Sequence, residues 1–144
     1  MRTDILSSLR VVARFADGRM LKGTTRDFSA AKPDFHVIAD DDAKAVVKVA
    51  VRDLKAVYFV KDLTGDKDHV ETFGHDASRG QGRPIRVHFN DGEVAYGFTV
   101  GYSADRPGFF YVPMDQQCNN LRVFAVRAAV TRVEFLQPGA TLMP

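Results

Sequence analysis

Several residues in this chain have types that do chemistry. His69, Glu71, His75 and Asp76 bring imidazoles and carboxylates, the usual zinc donors, into one short stretch. They lack a compact repeated ligand spacing, so solvated loop residues are the favoured reading and no metal is expected. His36 and His88 fall in strand-like stretches and read as surface or satisfied residues. Cys118, Ser29 and Ser103 are the candidate nucleophiles. A nucleophile needs a base in reach and a group that orients the base. Cys118 instead sits among Gln116, Gln117, Asn119 and Asn120, and no Ser/His/Asp or Cys/His pattern is present. Gly80-Gln81-Gly82 lacks the flanking strand and helix of a phosphate-binding turn. Neither catalysis nor a cofactor is expected. Arg10 and Arg14, with Asp27-Phe28-Ser29 downstream, are better placed for binding. Each guanidinium offers a bidentate fork to phosphate. Arg10, Arg14, Arg19, Lys22 and Arg26 together are the candidate contacts for phosphate or nucleic acid, with Phe28 or Phe35 as stacking rings.

The elements that must carry these residues are set by an internal repeat. Phe15 to Phe35 reads FADGRMLKGTTRDFSAAKPDF, and Phe89 to Phe109 reads FNDGEVAYGFTVGYSADRPGF. Nine of 21 ungapped positions are identical: Phe15/Phe89, Asp17/Asp91, Gly18/Gly92, Gly23/Gly97, Thr25/Thr99, Ser29/Ser103, Ala30/Ala104, Pro33/Pro107 and Phe35/Phe109. Self-similarity at this level marks a duplicated structural unit. The 144 residues divide into a first unit over 1–63, a linker or long loop over 64–84, a second unit over 85–138 and a tail over 139–144. Units near 60 residues are close to the lower limit of independent stability, so the two are expected to pack together.

Alternating apolar residues bounded by turn signals predict strands throughout. In the first unit these run over Arg10–Phe15, Met20–Phe28, Asp34–Ala39, Val46–Val51 and Ala56–Val60, with a short 3₁₀ turn at Arg52–Lys55. Thr3 can cap a short leading helix over Asp4–Leu9. The second unit repeats the order over Ile85–Asn90, Glu93–Tyr102, Phe109–Pro113, Leu121–Val126 and Val130–Leu136. Asp17-Gly18 and Asp91-Gly92 supply tight hairpin turns. Gly23 and Gly97, inside long second strands, mark sharp bends. Phe15/Phe89, Phe35/Phe109 and Phe59/Phe135 are the expected equivalent core rings. Val70 and Phe73 could pin the linker to one unit.

Five short strands, a leading helix and a second strand bent at glycine resemble the Sm-like small β-barrel. Gly18, Gly23 and Phe28, and again Gly92, Gly97 and Tyr102, carry the resemblance. It implies an all-β chain of two tandem five-stranded Sm-like (Src-homology-3-like) small barrels. The RNA-reading positions depart from that family. Ser29-Ala30-Ala31-Lys32-Pro33 and Ser103-Ala104-Asp105-Arg106-Pro107 replace its Asp, Met and Asn. Asp53 and Ala128 stand where its second motif has glycine after an apolar-Arg pair. The tandem also looks like an uncharacterised bacterial family of such barrels, sometimes attached to signalling proteins, which implies a regulatory or adaptor setting. Arg10/Arg14 with Asp27-Phe28-Ser29 is similar to the R-x-x-x-R and D-x-S-x-x-G motifs of PilZ domains, with Lys32 at the glycine position. That likeness implies a cyclic-dinucleotide ligand.

Charge favours no dedicated nucleic-acid binder. Residues 1–63 carry twelve Lys/Arg against nine Asp/Glu, and residues 84–144 carry five of each, without a basic run. The single cysteine fits a reducing compartment. No apolar run approaches the ~20 residues of a membrane span, and no signal-peptide core opens the chain, so a cytoplasmic protein without membrane contact is expected.

The two copies also act as controls for each other. Lys22, Thr24, Arg26 and His36 in the first correspond to Tyr96, Phe98, Val100 and Phe110 in the second. Polar residues in one copy indicate a water-facing site, and apolar residues in the other indicate a patch needing cover. Tyr96, Phe98, Val100 and Phe110 are therefore the expected interaction patch, covered by the first unit, a second copy or a protein partner. The expected function is a non-catalytic interaction or regulatory adaptor module. Nucleic-acid binding by the first barrel and PilZ-like cyclic-dinucleotide binding are the alternatives.

Overall fold

The computed structural model describes residues 9–41, 43–61, 82–103, 105–115 and 119–136. The described residues form ten strands and two single 3₁₀ turns: β1 (Leu9–Phe15), β2 (Met20–Thr25), β3 (Asp34–Ala39), β4 (Val46–Ala50), η1 (Val51–Asp53), β5 (Leu54–Val60), β6 (Arg83–Phe89), β7 (Val94–Thr99), β8 (Gly108–Pro113), β9 (Asn120–Val126), η2 (Arg127–Ala129) and β10 (Val130–Phe135). The residues shared by the two copies account for the shared geometry. Gly18 and Gly92 take φ of 98° and 96°, the left-handed conformation of the two hairpin turns. The side chains of Asp17 and Asp91 accept the N–H of Arg19 and Glu93, closing those turns. Thr25 and Thr99 are buried, and each donates its hydroxyl at 2.7 Å to a carbonyl on the next strand, that of His36 or Phe110. Pro33 and Pro107 offer carbonyls to the first N–H of each 3₁₀ turn, Val51 and Arg127. Gly23 and Gly97 lie where the neighbouring strand leaves no room for a Cβ.

All ten strands form one antiparallel sheet in the order β10-β6-β7-β8-β9-β5-β1-β2-β3-β4. Each half has the same internal order, β5-β1-β2-β3-β4 and β10-β6-β7-β8-β9. They join where β5 pairs antiparallel with β9, with Ala56 opposite Ala125, Val57 opposite Phe124 and Tyr58 opposite Val123. Successive residues of a strand face opposite sides of the sheet, and this seam therefore serves two cores. Val57, Phe59, Phe124 and Val126 enter the core of the first half with Val11, Phe35 and Val49. Ala56, Val123 and Ala125 enter the core of the second with Ile85, Val87 and Phe109.

The chain is thus all-β as expected, and its two repeat units join in one continuous, open antiparallel sheet. The reason is the β5–β9 pairing, which uses backbone hydrogen bonds that a lone unit would leave unpaired. The long second strands are also shorter than expected, β2 ending at Thr25 and β7 at Thr99. After Thr25 the Asp27 carboxylate takes the N–H of His36 at 2.9 Å and its ring Nδ1 at 2.7 Å, turning the chain out of the ladder. The 3₁₀ turn falls at Val51–Asp53 and not Arg52–Lys55, leaving Leu54 and Lys55 in β5. Of the expected core rings, Phe35, Phe59, Phe89 and Phe109 are buried. Phe15 is half-buried and Phe135 is 38% exposed. Phe135 lies on an edge strand, with the Arg83 guanidinium 3.9 Å over its ring, whereas Phe59 is covered by the second half. Residues 4–8 of the leading helix, residues 64–81 of the linker with Val70 and Phe73, Cys118 and the tail lie outside the described residues, while Leu9 begins β1 and Arg83 and Pro84 begin β6, a correction to the helix and linker bounds.

Candidate functional site

Phe28 is the centre of the contact between the halves. Its ring meets Phe35, Phe59 and Phe124 edge-on at 5.0, 5.3 and 5.1 Å, and Phe110 at 6.0 Å. Phe110 and Phe124 come from the second half and pack on the core of the first. Arg122 lies 4.7 Å from the Phe59 ring and 4.5 Å from Phe110, capping the cluster with a cation–π contact. On the other side of the seam Lys55 is almost wholly buried. Its ammonium donates to Asp91 at 2.7 Å and to Glu93, both of the second half's hairpin, and sits 4.8 Å from the Phe89 ring. The Lys55 hydrogen bond, aided by the Glu93 N–H, holds the Asp91 carboxyl below its usual range.

The expected interaction patch therefore divides among three environments. Phe110 is covered by the first half. Phe98 is buried with Met114 in a small cluster that Tyr96 flanks. Val100 is 80% exposed. These side chains form no single row, because the β7–β8 pairing ends at Phe98, opposite Val112, and Val100 lies beyond the end of β7. A cleft of about 440 Å³ still joins Phe98, Val100, Phe110 and Val112 to Ala30, Arg106 and Arg122.

A larger cleft, about 580 Å³, opens where the same two segments of both repeats converge. Ala31 and Pro33 come from the loop before β3, and Asp105, Arg106 and Pro107 from the equivalent loop before β8. Val51 and Arg52 come from η1, and Val126, Arg127 and Ala128 from around η2. Three guanidiniums and one carboxylate thus line a floor of proline, valine and alanine. Arg127 donates to the Tyr102 hydroxyl at 3.0 Å, which fixes its direction. Arg52 and Arg106 extend from exposed turns and enter no ion pair among the described residues. Ser103 donates its hydroxyl to Asp105, and this bond, with the charges of Arg106 and Arg127 adding to it, keeps the carboxyl ionised and low in pKa. The arrangement is suited to an anion with apolar neighbours.

A family of unknown function, DUF6982, matches residues 7–137. The chain belongs to that family. No curated protein and no solved structure matches it.

In this DUF6982 chain three of the five basic residues expected to contact phosphate share one face of the sheet, since Lys22 pairs with Val12, between Arg10 and Arg14. Arg10 and Arg14, four residues apart on one strand, are separated by about 13 Å. Arg10 donates to the Lys61 carbonyl at 2.7 Å, and Arg19 pairs with Asp17 at 2.8 Å. Arg14 contributes to the field at Asp91. Lys22 and Arg26 are exposed. Asp27, the acidic residue of the PilZ-like motif, is engaged by His36. Phe28 and Phe35, the expected stacking rings, belong to the aromatic cluster. His69, Glu71, His75 and Asp76 lie outside the described residues, and among the described residues no group of three metal-ligating side chains occurs. Nor is any described helix long and apolar enough to cross a membrane. Lys55 and the three cleft arginines escaped sequence reasoning. A signal was present for two of them, since Val51-Arg52 and Val126-Arg127 repeat a dipeptide just before the fifth strand of each copy.

Proposed function

We propose that this chain is a non-catalytic adaptor that binds an acidic, extended segment of a partner protein in the three-arginine cleft. The observation that carries this reading is the convergence of both repeat copies on one cleft lined by Arg52, Arg106 and Arg127 against the single carboxylate of Asp105. Guanidiniums match carboxylates bidentately, and Pro33, Pro107, Val51 and Val126 offer apolar contact between the charges. Among the described residues no aromatic ring lines this cleft, and an aromatic ring is the stacking platform that single-stranded nucleic acid uses. We also infer that each half is an Sm-like small-barrel unit. The repeated strand order, the single 3₁₀ turn before the fifth strand and the crowded Gly23 and Gly97 support this reading.

Fluorescence anisotropy tests the proposal, with a labelled peptide alternating glutamate and valine, and an oligouridylate of equal charge as competitor. The expected result is saturable peptide binding that weakens with salt and is lost in the variant R52E/R106E. Tighter binding of the oligouridylate, or peptide binding unchanged by the double substitution, would overturn it.

A further inference from the structure

We infer that the two outer edges of the sheet are built to refuse a second copy of this chain, so that the β5–β9 pairing occurs once, within the chain. The duplication alone suggests otherwise. The seam joins the fifth strand of one repeat, β5, to the fourth strand of the next, β9. The outer edges are β4 and β10, the remaining fourth and fifth strands. A second copy could lay its β4 on β10 by the same pairing, and such a head-to-tail contact would propagate.

The ladders show which residues would meet. Phe35 pairs with Val49 and His36 with Lys48, as Phe109 pairs with Ala125 and Phe110 with Phe124. Lys48 is thus the counterpart of Phe124, and His36 of Phe110. Arg14 pairs with Ala56 and Val12 with Tyr58, as His88 pairs with Arg132 and Arg86 with Glu134. Arg132 and Glu134 are therefore the counterparts of Ala56 and Tyr58. Copying the seam would set Arg132 opposite Val49, Val133 opposite Lys48, and Glu134 opposite Val47 of the next chain.

Lys48 and Arg132 would take places that are apolar and buried in the seam, and Glu134 would take that of the half-buried Tyr58. Ala56 is 0% and Phe124 1% exposed. Lys48 would lie beside Val133, with Thr131 and Phe135 on its diagonals and its own Asp34 on the same side of the sheet. Arg132 and Glu134 would face the other side. Taking these ion pairs out of water opposes association, and charged side chains are a common way to guard a sheet edge. At present the Lys48 ammonium is 3.8 Å from Asp34, and Glu134 is held by Arg86 and His88, all at a partly or fully exposed surface.

Sedimentation of the full chain, with circular dichroism as the check on fold, tests the inference. The wild type should sediment at the mass of one chain. K48F/R132A/E134Y places the seam residues on both edges and should raise the weight-average mass with concentration, at least doubling it. K48F/R132A leaves Glu134 with Arg86 and His88; it should give a smaller rise, and carries the test if the triple variant does not fold. Folded variants that both remain single chains at high concentration would overturn the inference. So would an interchain disulfide forming readily in V46C/F135C/C118S, since it would show β4 against β10 in the presence of all the charges.

Discussion

Removing the Phe28 ring should weaken both halves of the sheet at once. Phe28 belongs to the first repeat, yet two of its four ring neighbours, Phe110 and Phe124, belong to the second. Truncating a fully buried phenylalanine costs about 3–5 kcal/mol, and Phe28 is half-buried, so Phe28→Ala should cost roughly 2–3 kcal/mol on that scale. Phe110→Ala should cost a similar amount. The rings meet at 6.0 Å and 75°, an edge-on geometry, and such pairs contribute about 0.5–1.5 kcal/mol beyond area burial. The double variant should therefore be less destabilised than the sum by about 0.5–1 kcal/mol, above the ~0.3–0.5 kcal/mol error of additivity. The assay is urea unfolding of wild type, both singles and the double, followed by circular dichroism and tyrosine fluorescence. Each protein should unfold in one transition with coincident probes. Two separate transitions, with Phe28→Ala moving only one of them and no coupling to Phe110, would refute the shared seam.

Other perturbations probe the same structure at different points. Gly23→Ala would drive its Cβ into the Ile38 carbonyl, and Gly97→Ala would bring one within 2.6 Å of the Val112 carbonyl; each should cost about 1–3 kcal/mol by overpacking, and an unchanged urea midpoint would remove the close approach. Lys55→Met keeps the buried length and loses the ion pair. Because Asp91 and Glu93 stay about half exposed, at 50% and 48%, their charges remain hydrated, and the cost should be about 1–2 kcal/mol, read as a lower urea midpoint; a rise in midpoint would show that the buried ammonium opposes folding. Hydrogen bonds from Arg86 and then His88 lower the Glu134 carboxyl from 4.5 to about 2. A carboxyl depressed on folding stabilises above its unfolded pKa and loses that contribution as pH falls through the folded one. Glu134→Gln should therefore flatten the fall in stability between pH 4.5 and about 2, and an unchanged acid profile would remove this contribution.

The strands and turns were readable from the chain because local rules govern them. Asp17-Gly18 and Asp91-Gly92 specify hairpins through left-handed backbone, and Val11 and Ala13 alternate with Val12 and Arg14 as a one-sided strand requires. The seam between β5 and β9 was not readable. It depends on which unpaired edge meets which, and Ala56-Val57-Tyr58-Phe59 has no local feature naming Val123 and Phe124 as its neighbours. Comparing the copies came nearer, since the His36/Phe110 difference marks a position that is exposed in one half and covered in the other. The same comparison gave no single patch, because the β7–β8 pairing ends at Phe98 and Val100 lies beyond the end of β7. The cleft was hidden for a similar reason. Arg52, Arg106 and Arg127 are far apart in sequence, and only the joining of the halves brings their turns together. Basic residues close in sequence, such as Arg10 and Arg14, gave the more visible signal but remain apart on an extended strand.

Nuclear magnetic resonance shift mapping with the glutamate–valine peptide tests the binding proposal most directly. The account predicts amide shifts confined to Ala31, Pro33-flanking residues, Val51 and Arg52, Asp105 and Arg106, and Arg127 and Ala128, with both repeats responding at the same peptide concentration. Shifts centred instead on Arg10, Lys22 and Arg26, or no saturable shifts at all, would contradict it.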